Sequence, residues 1–148
     1  LARQSVLLER EERKNGRAFV AAGAQNMNQK QREALVDLLL LGMFVDGSLK
    51  VSDDQKLRSV IEEIGWESYQ TPDLYFQSAI AKARDAADTE TGTRSRLRKI
   101  NESLASDDAR QLALERLKRF LSLDGEPALE ESKFLELAKE NLRGEQVA

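Results

Sequence analysis

"ALVDLLLLGMFVDGSLKVSDDQKLRSVIEEIGW", residues Ala34–Trp66, decides the fold. Its longest apolar run, Leu38–Val45 with Gly42 inside it, stops at Asp46-Gly47, a pair suited to closing a helix and opening a turn. Ser52 and Gln55 then have the S-x-x-Q spacing of a capping box, so a new helix is expected near Asp53. Leu57, Val60, Ile61 and Ile64 fall at i, i+3, i+4 and i+7, one face of that helix, and Gly65 ends it. The stretch therefore reads as helix, acidic elbow, helix.

Outward from it the chain stays helical. Asn28 is placed to cap the first of these helices, over Gln29–Val45. Before it, "RQSVLLEREERKNG" reads as a charged helix from about Arg3 to Lys14, and "RAFVAAGAQNMN" as a short helix or turn. After it, Thr71-Pro72 is an N-cap followed by proline at the first helical position, opening "PDLYFQSAIAKARDAA". Thr89–Thr93 with Gly92 is expected to break that helix. A basic helix, "TRSRLRKINESLA", follows; Ser106 caps Asp107–Leu123, and the last helix runs from about Glu130 to Arg143 with Phe134, Leu135, Ala138 and Leu142 inward. No stretch of strict apolar and polar alternation supports a sheet. More than ~60% helix is expected, about twice the usual share.

A second elbow, "SLDGEPALEESK" over Ser122–Lys133, repeats the first. A shift of 78 residues takes Asp46 to Asp124, Asn28 to Ser106, Leu39 to Leu117, Asp53 to Glu131, Leu57 to Leu135 and Ile64 to Leu142. Caps, core and elbow agree on one offset without a gap, which reads as a duplicated hairpin. The organisation is then one domain: an N-terminal helical extension over 1–28, a first hairpin over 29–65, connector helices over 66–105 and a second hairpin over 106–143.

Composition narrows the chemistry. The 148 residues suit one domain, with 33% charged, 41% hydrophobic and a formal net charge of −3, so no basic field recommends nucleic acid. There is no cysteine and no histidine, which removes disulfides, thiol nucleophiles, the commonest general base and the commonest transition-metal ligand. No glycine-rich phosphate loop or G-x-S-x-G occurs, and the expectation is a protein that is not an enzyme. The longest apolar run is far short of the ~20 residues a spanning helix needs, and no signal-peptide core stands near the start. A cytoplasmic protein without membrane insertion is expected, monomeric or weakly dimeric, with a protein partner. Leu1 in place of an initiator Met leaves room for a longer parent chain.

The pattern of apolar helix, Asp-Gly, then acid-opened amphipathic helix, twice within about 150 residues, resembles the tellurite-resistance TerB-like domain family. The same pattern is found in the N-terminal domain of DjlA-type co-chaperones. The match is strongest over Ala34–Trp66 and weaker over Ala113–Leu142, where Pro127 stands in place of an apolar residue. In the first copy Asp53 stands where the family has Glu; in the second, Glu131 holds that position. The resemblance implies an all-α fold of about seven helices, a bacterial stress-related role and divalent-cation binding at acidic surface residues, with no catalytic reaction.

The candidate metal ligands are Asp46, Asp53, Asp54, Asp124, Glu130 and Glu131, with calcium or another hard divalent cation as the ion, weakly held. The same residues have a plainer use: Gly47 closes a helix, and acids in first turns complement the helix dipole by ~0.3–1 kcal/mol each. Both readings stand. An EF-hand does not, because Lys50 and Leu57 would occupy loop positions five and twelve. Asp37 and Glu115, paired by the repeat, are expected on a solvated stripe or in an ion pair with a neighbouring helix. Arg94, Arg96, Arg98 and Lys99 are read as a solvated face, with Arg96 directed away from Arg94 and Arg98. Trp66, Tyr69, Tyr75 and Phe76 are expected to pack between the halves.

Overall fold

Asn28 sits in an extended conformation and accepts the amide of Gln31 through Oδ1 at 2.8 Å, while Gln31 Oε1 accepts the Asn28 amide at 2.9 Å. That reciprocal capping box opens α1, Gln29–Phe44. The computed structural model of the protein describes residues 27–45, 51–122 and 128–143, and the side chains of all of these but 51–54. Five further helices follow: α2 Val51–Ile64, α3 Pro72–Ala87, α4 Glu90–Leu104, α5 Asp107–Leu121 and α6 Leu129–Asn141. Helix makes up 83% of the described residues and none of them is in a strand, so the architecture is an all-α bundle. About seven helices were expected and six lie among the described residues; the charged helix expected over Arg3–Lys14 lies outside them. No described helix is long and apolar enough to cross a membrane.

The helix α1 is the axis of the fold. Eleven of its sixteen residues are buried, and it packs against each of the other five helices. From Leu38 to its end α1 is apolar on every side and has to be enclosed, and Leu35, Leu38, Leu39, Leu40 and Leu41 are all fully buried. Gly42 is the point of closest approach: a Cβ there would lie 3.3 Å from both Leu117 Cδ1 of α5 and Phe134 Cε2 of α6. The other helices are amphipathic and turn Leu57, Ile61 and Ile64 (α2), Leu97, Ile100 and Leu104 (α4), or Ala113, Leu117 and Phe120 (α5) onto it.

Most helix boundaries follow local chemistry. Thr71 caps α3 with Pro72 at its first position, Ser106 caps α5 through Ala109 N–H, and Gly65 closes α2 at φ +85°. Several boundaries differ from expectation, among them the end of α1 at Phe44 rather than Val45 and of α6 at Asn141 rather than Arg143. Helix α2 starts at Val51, so Ser52 lies inside its first turn rather than capping it. The break expected over Thr89–Thr93 shrinks to Asp88-Thr89, because Thr89 is itself an N-cap whose hydroxyl accepts Gly92 N–H at 2.9 Å. Gly92 is therefore inside α4; a Cβ on it would stand 2.7 Å from the Ala86 carbonyl oxygen, so this tight junction requires glycine. Helix α5 ends at Leu121, with Leu123 outside the described residues, and α6 begins at Leu129.

Ala105 ends α4 at φ +67°, a left-handed conformation that costs a non-glycine residue about 1–2 kcal/mol. Ala105→Gly should stabilise the protein by about 0.5–1 kcal/mol after the extra chain entropy of glycine is subtracted. A urea melt that shows no increase in midpoint would contradict this.

Helices α5 and α6 each begin 78 residues after α1 and α2, with Asn28 capping α1 and Ser106 capping α5. Their surroundings differ: α1 is enclosed, whereas α5 buries one face only. An Arg116–Glu63 ion pair joins α5 to α2.

Candidate functional site

Three separate segments converge beside the base of the first elbow. Helix α1 runs out at Val45, whose amide still donates to Leu41 O at 3.2 Å. The α3–α4 junction is folded tightly by Thr93, whose hydroxyl donates to the Ala86 and Thr89 carbonyls at 3.1 and 2.9 Å. Helix α6 opens at Ala128, whose amide donates to Glu131 Oε1 at 2.9 Å. Between these elements lies an open groove of about 550 Å³. Asp88, Glu90, Glu130, Glu136 and Glu140 line it against two cations, Arg94 and Lys133. Arg94 spans the groove, with Nε 3.7 Å from Glu90 and Nη1 4.0 Å from Glu140. The field inside is negative.

The expected metal ligands distribute unevenly about this surface. Asp46 and Asp124 lie outside the described residues. Asp53 and Asp54 fall in the first turn of α2, and their side chains are likewise outside. Glu130 is exposed on the groove wall. Glu131 turns back to the Ala128 amide, so one of its carboxylate oxygens acts as a helix cap. Among the described residues no three acidic side chains come close enough to hold a metal ion.

A second polar cluster ties α1, α3 and α4 together. Tyr75 donates its hydroxyl to Asp37 Oδ1 at 2.7 Å, and Arg96 Nη2 lies 3.0 Å from Asp37 Oδ2. The Asp37 and Arg96 side chains are only 13% and 18% exposed, so Arg96 leaves the solvated face expected of its basic run and becomes the partner of Asp37. Arg96 is two residues from Arg94, about 200° around the helix, which is why it alone of that pair reaches inward. Burial raises the Asp37 carboxyl to about 6; the Tyr75 hydrogen bond and the Arg96 charge oppose this, Glu33 adds to it, and Lys82 opposes it. Burial also pushes the Tyr75 phenol upward, with the Asp37 charge acting in the same direction. Glu115, 78 residues after Asp37, is exposed.

The aromatics divide. Phe76 is buried, and Trp66 and Tyr75 are half-buried, with ring centroids 5.4 Å apart and planes at 59°. Tyr69, expected between the halves, is fully exposed instead, because the residues after Gly65 carry it outward while Trp66 Nε1 donates to Gln70 O at 2.8 Å. The groove itself had no signal in the sequence, since its walls come from residues near 45, 90 and 135. Comparison of the chain with models of known protein families, with curated proteins and with solved structures gives no match.

Proposed function

We propose that this protein is a non-catalytic, TerB-like helical binding module, built from two duplicated helix–elbow–helix hairpins, that works in the cytoplasm in stress responses of the tellurite-resistance type. The observation that carries the reading is the convergence of Val45, the α3–α4 junction and the start of α6 on one acidic groove. Val45, which precedes Asp46 in the chain, and Glu130, in the second elbow, both line that groove. The shared 78-residue register of α1–α2 and α5–α6 supports the duplication.

On this reading Asp46, Asp53 and Asp54 in the first elbow and Asp124, Glu130 and Glu131 in the second are ligands for calcium or another divalent cation. Water completes each shell, and affinity is weak, around 10⁻⁴–10⁻³ M. The cap reading has an observation of its own in Glu131, which already holds the Ala128 amide. Melting the protein with calcium and with a chelator separates the two. At calcium ten times the dissociation constant, the cation reading expects a gain of about 1.4 kcal/mol. Asp46→Asn should remove most of that gain and cost little without calcium. Equal melting temperatures in calcium and chelator would overturn cation binding and leave the elbows as helix stops and starts.

A further inference from the structure

The groove beside the first elbow has an apolar floor as well as acidic walls. Val45, Ala87 and Leu137 are half-buried in it above the buried ring of Phe134. These are core-grade side chains that no described element covers completely, and burying them further would be favourable at about 25 cal/mol per Å². Along α6 the lining positions are Glu130, Lys133, Phe134, Glu136, Leu137 and Glu140, one face of the helix. Ten steps of about 1.5 Å from Glu130 to Glu140 make that face about 15 Å long, close to three helical turns.

We infer that this groove docks an amphipathic, lysine- or arginine-bearing helix of a partner protein. Charge selects the occupant. Five carboxylates face two cations; Arg94 is already engaged by Glu90 and Glu140 at one end of the groove, and Glu136 is paired with Lys139 at 3.4 Å on its rim. Glu130 and Asp88 are exposed and have no described ion pair in the structure, so they are available to cations that a partner brings. A bare metal ion is a poorer fit, because no three acids converge closely enough among the described residues. An apolar face three turns long with positive flanks complements both floor and walls, the helix-in-groove mode of recognition. Complementary charge at such a rim governs encounter rate and selectivity, so binding should weaken with salt.

The inference rests on taking the elbow end as the working face, but not on cation binding, and the experiment keeps the two apart. The probe is a 14-residue peptide of lysine and leucine in helical spacing, titrated into the ¹⁵N-labelled full chain, with a glutamate and leucine peptide of the same pattern as comparison. Amide shifts should be confined to residues 87–94 and 130–140, and the acidic peptide should leave them unmoved. Glu130→Lys with Glu136→Lys should weaken binding at least tenfold. Glu130→Gln with Glu136→Gln should give a smaller loss, and it keeps the test intact if charge reversal disturbs folding. Shifts that gather instead around Tyr69 and Leu74, equal binding of the acidic peptide, or unchanged affinity in both double variants would each overturn the inference. The titrations are run in chelator, because Glu130 is also a ligand in the cation reading; the calcium melt of the parent protein decides that reading alone.

Discussion

Leu39→Ala should lower the free energy of unfolding by about 3–5 kcal/mol, the upper part of the range for a buried leucine. Leu39 is completely buried at the middle of α1, and α1 is enclosed by all five other helices. A cavity there is walled on every side by helices that are held apart by their other contacts, so little of it can close. The lost transfer energy and the residual cavity then add. Against a typical domain stability of ~5–15 kcal/mol, this change alone takes a large share. Leu129→Ala is the matching control, since Leu129 is 68% exposed, and it should shift stability by no more than about 0.5 kcal/mol. Urea unfolding of the two variants checks the pair; a Leu39→Ala loss below about 1 kcal/mol would contradict the central position of α1.

The second large effect is one of pH. The Asp37 carboxyl is raised from its ordinary range to about 6 in the fold, chiefly by burial. Between pH ~4 and ~6 the folded protein therefore holds a proton on Asp37 that the unfolded chain has released. Its contribution to stability is fully present below about pH 4 and is lost as pH rises through 6. A shift of about two units corresponds to about 3 kcal/mol. Every other carboxylate titrates in both proteins, so the difference in stability between the parent and Asp37→Asn isolates this group. That difference should move against the parent by about 3 kcal/mol from pH 4 to pH 7, then level off. A difference that is flat across this interval, or that grows in the parent's favour, would show that the Arg96 pair outweighs burial.

Local chemistry made most of the helices legible. Asn28, Thr71-Pro72, Ser106 and Gly65 each act where they stand, through their own neighbours, and so their reading needed no knowledge of the fold. What escaped were features decided elsewhere in the chain. Gly92 looks like a helix breaker until the Ala86 carbonyl is seen above it, where any Cβ would collide. Arg96 looks like part of a solvated basic run until α1 brings Asp37 within 3.0 Å. Ala128 offers no capping side chain, and the start of α6 is supplied from within by Glu131. The groove was illegible for the same reason: no local pattern in the sequence links Val45 to Thr89 or Leu137, and only the packing of α6 across Gly42 does so.

The enclosure of α1 also has a consequence for the order in which the protein is made. Its apolar surface leaves the ribosome early, whereas the helix that covers much of it, α4, is complete only at Leu104, sixty residues after Phe44. At roughly 5–20 residues per second, the nascent chain carries the apolar Leu38–Phe44 run of α1 without that cover for about 3–12 s. Early in that interval α2 is the first described helix able to shield it, joined later by α3, and α2 is a one-sided helix with Glu62 and Glu63 turned to solvent. The molecule is therefore most vulnerable to aggregation before its second half exists, and a chaperone that holds apolar helices would meet α1 first.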